Sequence, residues 1–281
     1  MSLGAVPTIA AARFAIIGYG AITEEIVNIL AARGDFRWLT GVLVRPGRVP
    51  PGRERAAGRF PVTDSIDALL APKPDCVIEC AGHGAVREYG PTVVTSGVDL
   101  VIAAVGAIAD AALTTTLLKA ARPPARVLIP SGAVAGIDGL LAARTAGLSA
   151  VTYTSIKPPI AWIGTRAEPL LAGDRGKHYT VFFEGTAREA ATKYPKNANV
   201  GATVALASHS DLSGLDRTTV KLVSDPAASG PLGIIEASGA FGTFRFEILA
   251  YASPTNPKTS VLTAHSLLCA AQLGYAFPIA S

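Results

Sequence analysis

The chain has 281 residues, 49% of them hydrophobic and 16% charged, which excludes a disordered chain and implies a large buried core. Its net charge of +4 arises from 25 Lys and Arg against 21 Asp and Glu, scattered rather than blocked. Without a basic stripe and interleaved aromatics, nucleic acid is not the expected partner, whereas a small anionic ligand suits the mild excess.

An apolar strand is predicted over residues 13–17, ending at Gly18. Residues 21–33 put Ile22, Ile26, Ile29 and Leu30 on one helical face, with Gly34 at the usual stop position. A second strand spans 38–44 and closes at Arg45-Pro46-Gly47. Asp64 is read as the cap of a short helix over 65–70, and 75–79 as a third, buried strand. A helix over about 85–96 contains Pro91 and is expected to kink or break there. Residues 100–105 form the next strand, Asp110 caps a helix reaching 121, and 126–129 is another strand. This alternation implies an α/β fold, a doubly wound parallel sheet covered on both faces.

Beyond Pro130 the rhythm changes. Strands are predicted over 151–157, 179–184, 218–224, 232–238 and 243–249, several with no long helix between them, so a mixed or antiparallel sheet is expected. Helices are predicted over 136–146, 188–194 and 199–207. A domain boundary falls near Pro130, and no internal repeat is present. Residues 259–281 lack charged side chains but are interrupted by polar residues and Pro278, so they read as a buried C-terminal helix rather than a membrane span. No basic region precedes the first apolar stretch, so no signal peptide is expected. Cys76, Cys80 and Cys269 are too few for a disulfide framework and have no metal-ligand spacing. They read as structural thiols of a cytoplasmic protein.

The sharpest motif is Gly18-Tyr19-Gly20-Ala21-Ile22-Thr23, set between a strand and an amphipathic helix. The first glycine makes the tight turn and the second lets backbone approach a pyrophosphate. The helix start, at Ala21 and Ile22, offers unpaired N–H groups to it. Thr23 replaces the third glycine of this fingerprint, which predicts looser helix–strand packing. At the end of the second strand, where an acidic residue would bond the ribose hydroxyls, stand Val44-Arg45, with Arg48 close behind. A guanidinium suits a 2′-phosphate, so NADP is expected over NAD. Small residues at later strand ends, Cys80-Ala81-Gly82-His83, Val105-Gly106-Ala107 and Ser131-Gly132-Ala133, would let a nicotinamide lie against backbone.

Further matches run along the chain: Glu79-Cys80-Ala81, Ala85-Val86-Arg87-Glu88-Tyr89-Gly90-Pro91 and Ile129-Pro130-Ser131-Gly132-Ala133. Lys157-Pro158-Pro159, Phe183-Glu184-Gly185-Thr186-Ala187-Arg188-Glu189-Ala190, Tyr194-Pro195-Lys196-Asn197-Ala198-Asn199-Val200 and Asn256-Pro257-Lys258-Thr259-Ser260 follow in order. In these the sequence resembles the L-aspartate dehydrogenases. The resemblance implies a Rossmann-type domain over 1–130, a second α+β domain forming a homodimer over 131–255, and a final helix over 256–281 returning to the first domain. It also implies cofactor contacts at Ala133 (through its backbone) and Asn199, beside the strand-end candidate Ala81. The reaction implied is hydride transfer between the nicotinamide and the Cα of a small dicarboxylic amino or oxo acid.

One departure stands out. The family carries its acid/base histidine in Asp-Pro, four residues, Asn-x-His-x-Ile, ahead of Gly-x-Phe-Gly. Here Asp225-Pro226 and Gly239-Ala240-Phe241-Gly242 are present, but Pro231 and Gly233 stand where Asn and His belong. Glycine cannot transfer a proton, and His is the usual group for this near neutral pH. Among the histidines, His209 is the candidate substitute, with His83 near the expected nicotinamide; His178 and His265 read as a loop and a structural residue. Lys157, Lys193, Lys196 and Lys258 are candidate cations for a dicarboxylate. The rivals are a dehydrogenase with a changed substrate and a silent NADP-binding homologue.

Overall fold

The computed structural model describes residues 12–172, 177–195, 197–253 and 256–279, without the side chains of 252–259. The first part alternates β1 (Phe14–Ile17), α1 (Ala21–Arg33), β2 (Leu39–Leu43), α2 (Val49–Ala56), β3 (Val62–Thr63), α3 (Ile66–Leu70) and β4 (Cys76–Glu79). It continues with α4 (His83–Thr95), β5 (Asp99–Ile102), α5 (Ala111–Ala120) and β6 (Val127–Pro130). The second part contains α6 (Ile137–Ala146), β7 (Leu148–Lys157), α7 (Glu168–Leu171), β8 (Thr180–Thr186), α8 (Ala187–Lys193), α9 (Asn199–Ser208) and α10 (Gly214–Arg217). It ends with β9 (Thr219–Ser224), β10 (Leu232–Gly239), β11 (Gly242–Leu249), β12 (Ala252–Ser253), β13 (Asn256–Ser260), α11 (Val261–Leu273) and β14 (Ala276–Pro278).

The first sheet runs β14-β6-β5-β4-β1-β2-β3, parallel except for β14, which pairs antiparallel with β6. Strand side chains alternate between faces, and β1 shows the consequence. Phe14 and Ile16 pack in a cluster with Ile26 and Leu30 of α1 and Leu267, Leu268 and Ala271 of α11. Ala15 and Ile17 face the opposite cluster, with Val86 and Val93 of α4 and Leu117 of α5. Helices therefore cover both faces, and the last helix completes one of them. The order reverses at β1, which opens a crevice beyond the carboxyl ends of β1 and β4.

The second sheet runs β11-β10-β7-β9-β8 and is mixed, with β7 and β9 parallel and the other pairs antiparallel. Its inner face, including Tyr153, Val220, Leu222 and Ile235, packs on Ala202 and Ala205 of α9. Among the described residues no helix is long and apolar enough to cross a membrane.

Several local expectations change. Ser65, not Asp64, caps α3, its hydroxyl accepting from the Ala68 N–H at 3.3 Å. Helix α4 starts at His83 and passes through Pro91 unbroken. The missing proline N–H falls opposite the carbonyl of exposed Arg87, where water can take its place. Residues 105–109 form a 3₁₀ turn rather than extending β5. Helix α2 was not expected; Pro50 and Pro51 in its first turn resemble loop residues but suit helix N-terminal positions.

Candidate active site

Gly18 ends β1 with φ +98°, and a Cβ there would lie 2.8 Å from the Cβ of Ala81 after β4. Only glycine serves both demands. Gly20 precedes α1, has no side-chain cap, and borders open space. The N–H groups of the first turn, at Ala21 and Ile22, thus remain available for an anion. Thr23 does not loosen the packing as expected: it is fully buried, and its hydroxyl donates to the Gly18 carbonyl at 2.9 Å.

A cavity of about 660 Å³ opens over this turn, lined by Gly18, Gly20, Arg45, Arg48, Arg55 and Ala81, among others. Its volume lies in the range of ligand sites. Arg55 was missed by the sequence reading. Its guanidinium lies over the Tyr19 ring at 4.0 Å, bonds the Tyr19 carbonyl at 3.1 Å and pairs with Glu24. Uncapped N–H groups with three arginines beyond them fit an anionic dinucleotide.

The loops after β4 and β5 are tied together by Glu79, which is fully buried. Its carboxylate accepts N–H bonds from Ala81 at 2.6 Å, Gly82 at 2.5 Å and Ala104 at 3.1 Å. Burial pushes this carboxyl group up, and the three N–H bonds oppose that shift. Next to it, Asn199 at the start of α9 accepts the Gly106 N–H at 3.0 Å, linking the second part of the chain to the first. His83 lies against the same place: a Cβ at Gly106 would be 2.9 Å from His83 Nε2, which has no partner in hydrogen-bonding geometry. Burial lowers the pKa of His83, partly offset by the Asn199 amide.

A second cavity, of about 120 Å³, lies between the two sheets. It is lined by Ile22, Ala133 and Asn199 and by Tyr153, Ser155, Lys157, Asn197 and Gly233, among others. Tyr153, Ser155 and Lys157 alternate along β7 and so share a face. Gly233 of β10 stands opposite Ser155. Asn197 is only 8% exposed, and its Nδ2 finds no partner among the described residues. A buried amide donor without an acceptor is costly, and a carboxylate in the cavity would satisfy it. Burial brings the Lys157 ammonium down to about 8.

Of the sequence candidates, Gly18, Gly20, Arg45 and Ala81 line the larger cavity and Ile22, Ala133, Asn199, Lys157 and Gly233 the smaller one, while others lie outside both. His209 does not line either cavity. It follows the last turn of α9, the opposite end from Asn199, about 14 Å away along a helix of 1.5 Å rise. There its Nδ1 meets the Ser208 hydroxyl at 2.8 Å, and its carbonyl accepts from Arg144 at 3.0 Å. Lys193 pairs with Glu189 on the surface of α8. Lys196 and the Lys258 side chain lie outside the described residues. His265 on α11 and the exposed His178 line neither cavity. Asn197, Tyr153 and Ser155 were missed as site residues, although the period-two spacing of Tyr153, Ser155 and Lys157 was a signal in the sequence.

The comparisons agree with this architecture. Residues 18–129 match the family model described as homoserine dehydrogenase, NAD binding domain, and residues 138–273 match aspartate dehydrogenase, C-terminal. The L-aspartate dehydrogenase of Ruegeria pomeroyi is 42% identical over 92% of this chain and 90% of its own. That of Serratia proteamaculans is 40% identical over 89% and 92%. The crystal structure of aspartate dehydrogenase from Thermotoga maritima superposes with a TM-score of 0.68, at 28% identity, covering 92% of this chain and 94% of its own. With this similarity spanning both sheets and the crevice between them, the chain belongs to the L-aspartate dehydrogenase family, of Rossmann-type α/β fold.

Proposed function

We propose that the protein is an NAD(P)-dependent oxidoreductase that interconverts L-aspartate with iminoaspartate, and hence with oxaloacetate and ammonia. The observation that carries this reading is the small cavity, lined by Lys157, by the Asn197 amide that has no partner among the described residues, and by Ala133 and Asn199. These are groups for an acidic substrate, placed where a nicotinamide would lie. When bound, that cofactor supplies the carbon that accepts or returns hydride. Gly18, Gly20, Ala21 and Ile22 bind its pyrophosphate, Ala81, Ala133 and Asn199 border it, and Arg45 with Arg48 holds a 2′-phosphate, favouring NADP.

Three further readings accompany this one. The chain divides into a cofactor domain over 1–130, a substrate domain over 131–255 and a returning segment over 256–281. Exposed apolar residues at the sheet edges, Val181, Tyr179, Leu249 and Tyr251, support a homodimer. Cys76, Cys80 and Cys269, all free thiols, suit the cytoplasm.

The test follows NADPH oxidation, with NADH in parallel, after adding oxaloacetate and ammonia to the purified protein. Turnover of about 1 s⁻¹ or faster is expected, the low end for ordinary enzymes. Gly233 favours one rival, a homologue that binds cofactor without catalysis. Tight NADPH binding with no turnover would establish that rival and overturn the aspartate reading.

A further inference from the structure

We infer that Lys157 is the acid/base residue of this protein, acting from β7 into the cavity in place of the histidine that Gly233 replaces. The inference rests on the aspartate reading and adds a residue to it. Gly233 and Lys157 lie on adjacent strands and line one cavity, with Ser155 and Tyr153 on the same face. A Cβ at Gly233 would stand 3.3 Å from the Tyr153 hydroxyl and 3.7 Å from Ile248 Cγ2. The space that a side chain at 233 would enter is therefore bounded by Tyr153 and Ile248.

The lining leaves one group for proton transfer. Among the described lining residues there is no carboxylate and no histidine; the titratable side chains are Tyr153 and Lys157. Burial pushes the Tyr153 hydroxyl up to about 12, against the opposing effect of its bond to Ser155, so it stays protonated near neutral pH. Lys157, brought to about 8 by burial, holds both forms in useful amounts. Its ammonium also lies 5.7 Å from the Trp162 ring centroid. Just after β9, Asp225 donates its backbone N–H to the Lys157 carbonyl, and its carboxylate accepts the Ala227 N–H. His83 stands behind Asn199, outside the cavity lining.

In the direction of amino-acid oxidation, water adds to the iminium carbon left after hydride departure. As the C–O bond forms, the C=N pair moves to nitrogen and a water proton passes to the neutral Lys157 amine. The resulting ammonium returns that proton to the substrate nitrogen. The C–N pair then leaves with ammonia while the hydroxyl O–H pair forms the carbonyl, and Lys157 takes up that last proton. Iminium, water and neutral lysine thus become oxo acid, ammonia and lysinium.

The experiment compares wild type with Lys157→Met and Lys157→Arg in kcat, KM and pH profile. Wild-type kcat for aspartate oxidation is expected to rise through a pH near 8, where the amine becomes neutral. Both variants should lose about 100-fold or more in kcat, with that limb gone. Lys157→Arg keeps the cation, so it should still bind malonate, read by quenching of bound NADPH fluorescence, which also shows that the variant folds and holds cofactor. A variant that retains kcat and the pH limb, or an arginine that restores turnover, overturns the inference while leaving the aspartate reading intact. A wild type without turnover overturns both.

Discussion

Gly233 and Arg45 show how much a single position settles on this scaffold. At Gly233 the backbone needs no left-handed conformation, so its significance lies in the side chain it lacks beside Tyr153. The absence of a histidine there was plain in the sequence, but its replacement was not. His209 was attractive because it follows the helix carrying Asn199; the helix then carries it away from the cavity. From the sequence Lys157 reads only as a carboxylate cation, because its lowered pKa comes from burial in the folded chain. Arg45 is exposed at the rim of the larger cavity, with Arg48 and Arg55 nearby. A charge-assisted bond to phosphate contributes about 1.5–3 kcal/mol, or roughly 10- to 100-fold in affinity. Arg45→Ala should therefore raise KM for NADPH about tenfold or more and leave KM for NADH within about twofold. Steady-state kinetics with both cofactors checks this, and equal effects on the two would remove the 2′-phosphate role.

At the scale of elements, the crevice depends on how strand ends are held. The Glu79 carboxylate joins the turns after β4 and β5 through the N–H groups of Ala81, Gly82 and Ala104. A neutral amide at this position turns an N–H donor toward backbone donors and leaves them unpaired, at a cost of about 1–3 kcal/mol. Glu79→Gln is expected to lower Tm by several degrees and to weaken NADPH binding, read by calorimetry and by fluorescence titration. An unchanged Tm and dissociation constant would show that the loops hold without it. Most elements around this crevice were legible from their periodicity. The clearest are α1, with apolar residues at helical spacing and Gly34 in the left-handed conformation at its end, and α5, capped by Asp110 as expected. Helix α2 and the 3₁₀ turn at 105–109 were not. In the first, prolines hid a helix start; in the second, the Gly106 N–H is claimed by Asn199 from 93 residues away.

At the scale of the molecule, the returning C-terminal segment closes the structure. Helix α11 buries Leu267, Leu268 and Ala271 against the first sheet, and β14 adds to its edge beside β6. Truncating a buried leucine costs about 2–5 kcal/mol. Leu268→Ala should lower Tm markedly in differential scanning calorimetry; a negligible change would mean that the helix does not stabilise the first sheet. Local pattern was enough to establish the α/β class, the change of rhythm near Pro130 and the glycine turn after β1, because each depends on residues adjacent along the chain. Which side chains share the small cavity, Lys157 among them, depended on the packing of two sheets and α9. Those contacts join residues far apart in the chain, so no spacing along it records them.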